Sequence, residues 1–153
     1  MRRKKQETTR EECVRLLTEE KRGVLSVIGD EGYPYAVPIN FYYDSEADRI
    51  YFHCAKAGHK LDAIQSCGKV CFTVMNKGYR KEDWSYHVTS VIVFGRASVM
   101  TDEALKLEKI KKFGMKYYPT EAEVDEEIRK DFSRAELIEI RPEHMTGKLV
   151  HEK

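Results

Sequence analysis

Apolar residues recur at helical spacing over residues 10–20, where Cys13, Leu16 and Leu17 stand among charged positions, and this predicts a short amphipathic helix. Gly23 follows as its C-terminal stop. The pattern then changes. Residues 24–28 form an apolar, β-branched run that predicts a strand. Residues 29–32, Gly-Asp-Glu-Gly, read as a hairpin turn, and residues 35–43 as the returning strand. Pro34 and Pro38 cannot donate to a ladder, so this strand takes a sheet edge or lies beside a ligand.

A polar loop over residues 44–48 leads to a third strand at 50–54, and a short helical stretch at 58–66 carries Leu61 and Ile64 on one face. Strands are expected at 70–74 and 88–99, with a bulge or close approach at Gly95. Asp102 caps a helix that runs to about Tyr117, with Leu105, Leu107, Ile110 and Phe113 as its apolar positions. The lysine-rich run 106–116 reads as that helix's solvated face. A second, acidic helix is expected at 120–130, and a last strand at 137–140 closed by Pro142. About six strands joined by short turns, with helices at the start, middle and after the fifth strand, predict a small antiparallel barrel with peripheral helices, not alternating βαβ units.

Composition narrows the class. The chain has 153 residues, 41% hydrophobic and 35% charged, which suits one folded domain over 1–153 and excludes a disordered chain. No apolar run approaches the roughly 20 residues of a spanning helix. The 27 basic and 26 acidic residues leave a formal charge of +1, with no overall pull on nucleic acid. The basic cluster Arg2, Arg3, Lys4 and Lys5 reads as a solvated end. The N-terminus lacks the apolar core of a signal peptide. Cys13, Cys54, Cys67 and Cys71 form no C-x-x-C pair, and reduced thiols in a cytoplasmic protein are the simplest expectation.

The chemistry concentrates in residues 50–64, Ile-Tyr-Phe-His-Cys-Ala-Lys-Ala-Gly-His-Lys-Leu-Asp-Ala-Ile. A strand enters a Gly-containing turn, and His59-Lys60 sits where a helix begins. Free amides, a helix dipole and a lysine together suit a phosphate. The alternative is an ordinary strand-to-helix turn with two solvated side chains. His53 is either a hydrogen-bonded core histidine or a catalytic one. Cys54 reads as a small buried filler, and Cys67 and Cys71 as core thiols. Trp84, Tyr86 and His87 form either a substrate wall or an ordinary apolar edge. There is no G-x-G-x-x-G and no G-x-x-x-x-G-K-[ST].

These runs, with Gly32 to Phe41, Val70-Cys71-Phe72, Ser90 to Ala97 and Lys116-Tyr117-Tyr118-Pro119, resemble the pyridoxamine-phosphate-oxidase-like FMN-binding split barrels. Within them the chain is most similar to Nim-type nitroimidazole-resistance flavoproteins. The resemblance implies a six-stranded antiparallel split β-barrel that works as a homodimer, with FMN between the protomers. It implies that Val37, Pro38, Ile39 and Asn40 line the isoalloxazine ring, and that His53 and Cys54 lie near the ribityl chain. His59 and Lys60 would hold the phosphate, and Ser90 would approach from the other subunit. Two features of the oxidase proper are missing. The basic residue before the flavin has no counterpart between Ala36 and Phe41, and the C-terminal arginine motif is absent, which argues against pyridoxamine phosphate as substrate. The implied activity is an NAD(P)H-dependent reduction of small nitroaromatic acceptors, with His53 as proton donor. The alternatives are a flavin-binding redox sensor or storage protein, or a relative holding deazaflavin, or haem on His53, His59 or His87.

Overall fold

The computed structural model of this protein describes residues 3–152; Arg2, in the basic cluster, lies outside them. The order is β1 (Glu7–Thr8), α1 (Arg10–Glu19), β2 (Arg22–Ile28), β3 (Pro34–Asn40), β4 (Tyr42–Asp44), β5 (Arg49–Ala55), α2 (His59–Ser66), β6 (Lys69–Met75), β7 (Tyr79–Arg80), β8 (Tyr86–Val99), α3 (Glu103–Met115), α4 (Glu121–Asp131) and β9 (Ala135–Glu152). The strands form one antiparallel sheet ordered β3-β2-β6-β8-β9-β5-β4, with β1 on β9 and β7 on β8. The six expected strands become nine because β1 and β7 are two-residue additions and the 35–43 strand breaks in two at Phe41.

That break explains the architecture. β3 and β4 are the two opposite edges of the sheet, yet a single residue, Phe41, joins them. The sheet must therefore curl until its edges meet. The curl encloses Leu25, Val27, Phe41, Phe52, Phe72, Val91, Val93 and Ile138, and Cys13, Leu16 and Leu17 of α1 with Leu61 and Ile64 of α2 complete this core. At the seam Phe41 leaves its backbone groups outside both ladders. The Tyr117 hydroxyl accepts from the Phe41 N–H at 2.9 Å and lies 2.7 Å from the Phe41 carbonyl and 2.5 Å from the Lys21 carbonyl, to one of which it donates. Tyr117→Phe removes this partner from a buried seam, and urea unfolding is expected to register a loss of about 1–3 kcal/mol. A loss below about 0.5 kcal/mol would mean that water serves Phe41 instead.

Several expectations change. Gly23 is no helix stop, since α1 ends where Glu20 turns extended, and Gly23 lies within β2. A Cβ there would stand 2.4 Å from the Phe72 ring, so the glycine admits close packing. Pro142 does not close the last strand. It pairs with Gly95 at a bulge where the β8–β9 register shifts, and β9 continues to Glu152. A missing N–H is tolerated at such a position. Gly95 is constrained as expected, because a Cβ would meet the Arg141 carbonyl at 2.4 Å. Cys67 and Cys71 are half-buried and not core thiols; Cys71 falls on the same sheet face as its partners Ser26 and Phe94.

The largest departure is α3. Asp102 caps it as expected, accepting from Ala104 and Leu105 at 3.0 Å, but the inward stripe carries lysines. Lys106 and Lys109 are buried, while Leu105 and Leu107 face out. The surface opposite α3 is aromatic and acidic. Lys109 donates to Asp44 at 3.0 Å and lies 6.0 Å from the centre of the Tyr51 ring. Lys106 lies over the Phe132 ring and 3.8 Å from Glu136. Lysine stems cover the rings while the ammonium groups meet carboxylates. Lys116 is likewise drawn in, donating to the Glu20 carbonyl at 2.5 Å above the Phe41 ring.

Candidate functional site

The barrel does not close along its whole height. β5 pairs with β9 along one edge from Ile50 to Ala55, but with β4 along the other only from Arg49 to Tyr51. Phe52 to Ala55 therefore present a released edge. β3 pairs with β2 alone, so its outer edge is released too. Carrying the β4–β5 register onward would set Ile39 and Asn40 opposite Cys54 and His53. The strands part there instead, and Pro38 has no N–H with which to continue the ladder. The result is a split bounded at one end by the Phe41 seam.

The other end is bounded by the start of α2. Gly58 has φ +139, a conformation reserved for glycine, and its carbonyl accepts from Leu61 and Asp62 at 2.8 and 3.1 Å. No side chain caps the helix, leaving the first amides, those of His59 and Lys60, to face outward. The His59 ring turns onto the β2–β3 hairpin, edge-on to Tyr35 at 4.5 Å and 3.5 Å from Asp30. Lys60 follows on the first turn of α2, half-buried, and its positive charge acts to lower the pKa of both His53 and Cys54 on β5. The released strand edges and the start of α2 therefore adjoin at this end of the split, with Lys60 on the first turn of the helix.

His53 stands on the outer face of β5, its ring edge-on to Phe113 of α3 at 5.1 Å. One side of the ring is open, yet crowding by the α3–α4 layer pushes its pKa down, Lys60 adds to the effect and Asp131 partly opposes it. Cys54 points into the barrel core, where burial pushes its thiol pKa up against a smaller opposing effect from Lys60. It is a packed thiol, and only its backbone borders the split. Val37 and Ile39 also turn their side chains to the core, while Pro38 and Asn40 face out. Asn40 accepts from Arg22 at 3.3 Å.

Ser90 is not part of this opening within one protomer. It lies on β8, three strands from β3, about 14 Å across the sheet at the usual spacing. Its face of the sheet is apolar and exposed, with Val24, Ile28, Met75, Ile92 and Phe94 uncovered. Trp84, Tyr86 and His87 separate. His87 is buried, bonded to Ser85 and stacked between Tyr79 and His151, whereas Trp84 is 75% exposed with φ +66. His87 lies at the far end of β8 and β9, remote from His53 on β5.

Sequence reasoning missed one feature. Between α3, α4 and the sheet lies a mainly apolar cavity of about 150 Å³, open on one side, with His53 in its wall. Its signal was present as Val124 and Ile128 one turn apart on the acidic helix, opposite Ile110 and Phe113.

Residues 9–149 match the family described as pyridoxamine 5'-phosphate oxidase. No curated protein matches the sequence significantly. Similar solved structures include one provisionally described as a 5-nitroimidazole antibiotic resistance protein from Bacteroides thetaiotaomicron, with 20% identity, 94% of this chain and 85% of that chain covered and a TM-score of 0.77. The flavocytochrome Anf3 from Azotobacter vinelandii has 23% identity, 98% and 72% coverage and a TM-score of 0.77. An FAD-binding protein from Mycobacterium smegmatis has 19% identity, 96% and 99% coverage and a TM-score of 0.67. At these identities the structures establish the fold, an antiparallel split barrel. No described helix is long and apolar enough to cross a membrane.

Proposed function

Because the chain belongs to the pyridoxamine 5'-phosphate oxidase family, we propose that it binds a flavin nucleotide in the split between β3 and β5 and acts as a flavin-dependent reductase of small acceptors. The observation that carries this reading is the pair of released strand edges ending at Gly58 and Lys60. Unpaired backbone N–H and C=O groups need partners, and the polar rim of a planar flavin ring offers both donors and acceptors. The backbone of Val37, Pro38, Ile39 and Asn40 would hold the ring. The amides of His59 and Lys60 and the Lys60 ammonium would hold the phosphate of the FMN moiety. The bound flavin would accept a hydride from NADH or NADPH and pass electrons to a small acceptor. A nitroaromatic acceptor is the reading we favour, supported by the likeness to the Bacteroides protein.

His53 would stand beside the ribityl and phosphate portion as a hydrogen-bonding group and, when protonated, as the proton donor. The exposed apolar face around Ile92 and Phe94 supports a symmetric homodimer, which would also bring the partner's Ser90 toward the flavin.

The test is a titration of the purified protein with FMN and FAD, followed by anaerobic addition of NADH or NADPH and then a 5-nitroimidazole. Flavin binding, bleaching of its blue band and recovery on adding the acceptor are expected. Failure to bind either flavin would overturn the site. Binding without bleaching would move the reading to a flavin sensor or storage protein. Light scattering of the flavin-loaded protein is expected to return a dimer, and a monomer would remove Ser90 from the site.

A further inference from the structure

The two ends of the split are secured differently. At one end the chain itself crosses from β3 to β4 through Phe41, so the join is covalent. At the other end, about 20 Å along an extended strand from Phe41 to Tyr35, β3 turns back into β2 and pairs with no strand on its outer edge. The turn is held by its own backbone. The Gly29 N–H donates to the Tyr33 carbonyl at 2.8 Å, and the Tyr33 N–H to the Asp30 carbonyl at 3.1 Å.

The His59 side chain ties this hairpin to α2, and its ring meets the hairpin at three points. It stands edge-on to Tyr35, with 4.5 Å between ring centres, and Tyr35 packs in turn against the barrel core. Its Nδ1 lies 3.5 Å from the Asp30 carboxylate. Its Nε2 lies 3.2 Å from the point where a Gly29 side chain would begin, so the ring rests against bare backbone. Both ring nitrogens thus face the hairpin, and one faces a carboxylate, which repels phosphate. The Asp30 side chain is 91% exposed, so that ion pair adds little. The ring-to-ring contact carries the attachment.

We infer that the His59 side chain is a positioning residue and not a phosphate ligand: it clasps the β2–β3 hairpin to the start of α2 and so fixes where β3 stands relative to β5. The inference rests on the flavin reading above. In that reading the backbone of residues 37–40 holds the flavin ring, and these residues lie between the Phe41 seam and the His59 clasp. The seam is continuous chain. The clasp can open, because releasing one aromatic contact frees an edge strand that is bonded on one side alone. Opening of the clasp is then the step that releases flavin, while the amides of α2 and the Lys60 ammonium hold the phosphate.

The test joins two measurements on the full chain: hydrogen exchange without flavin, and stopped-flow dissociation of bound FMN. The variants are His59→Ala, His59→Phe and Lys60→Ala, with circular dichroism to verify folding. His59→Phe keeps a ring against Tyr35 and removes both ring nitrogens. His59→Ala is expected to speed exchange at the Gly29 and Tyr33 amides, and FMN dissociation, by about three- to tenfold, the scale of one aromatic pair. His59→Phe is expected to return both to wild-type rates. Lys60→Ala is expected to speed dissociation and leave exchange unmoved. Exchange that His59→Ala does not change would overturn the clasp. Dissociation that His59→Phe fails to restore would overturn it too, and would assign the ring to the phosphate. Wild-type protein that binds no flavin would overturn the flavin reading itself, a distinct result, and the exchange rates would still decide the clasp.

Discussion

Asp44→Ala lowers the unfolding free energy at pH 7 by about 3–5 kcal/mol, the usual consequence of removing one member of a buried ion pair. Asp44 is buried at the end of β4, and it accepts from Lys109 at 3.0 Å and from the backbone of Glu46 and Ala47 at 3.1 and 3.2 Å. Burial alone would raise its pKa; these donors more than offset that, and the net shift is downward. Burial would likewise lower the pKa of Lys109, yet Asp44 and Glu108 hold it above the ordinary lysine range. Both groups stay charged at neutral pH, so the variant strands a buried ammonium with only the exposed Glu108 beside it. Because Asp44 has a lower pKa folded than unfolded, its contribution is complete above the unfolded value of about 4 and disappears as pH falls through the folded value. Urea melts from pH 3 to 7 should therefore bring wild type and variant together at the acid end. Asp44→Ala combined with Lys109→Met should recover most of the loss, since an apolar side chain replaces the stranded charge. A loss below 1 kcal/mol in the single variant would mean that Glu108 and water suffice for Lys109.

Lys60→Ala is the largest expected effect on ligand binding. A charge-assisted contact to phosphate is worth about 1.5–3 kcal/mol, so flavin affinity should fall by about 10- to 100-fold. Lys60 is only half-buried and makes no ion pair among the described residues, so flavin-free stability should scarcely change. This separates loss of a ligand contact from loss of the fold. Calorimetry with FMN reads the first and thermal unfolding the second. Unchanged affinity would remove Lys60 from the phosphate and leave the α2 amides as the anion site.

The fold was legible wherever local periodicity and local chemistry coincide. Cys13, Leu16 and Leu17 faced the core as their spacing required. The prolines placed residues 34–40 on an edge, because a residue without an N–H cannot sit between two ladders. Asp102 capped the helix that follows it, and the acidic helix formed over Glu121–Asp131, close to its expected span. The Gly58-His59-Lys60 turn was recognisable because it combines a backbone conformation open to glycine with a helix start and a cation.

Other features depend on partners far away in the chain. The lysines of α3 read as solvated because a helical wheel cannot know what surface lies opposite. Asp44, 65 positions away, and Tyr51 decide that Lys109 turns inward. Tyr117 holds a seam 76 positions earlier. Whether Cys54 meets ligand or core depends on which side of β5 faces the barrel, and Pro142 could read as a stop only while Gly95 was out of view. By itself the sequence determined the helices, the main strands, the edge strand and the glycine turn that opens α2, because each arises from interactions within a few residues. Only the tertiary structure decided the split, the buried lysine–carboxylate pair and the cavity beside His53. Each of these is made by surfaces that meet when the sheet curls and α3 and α4 pack against its outer face.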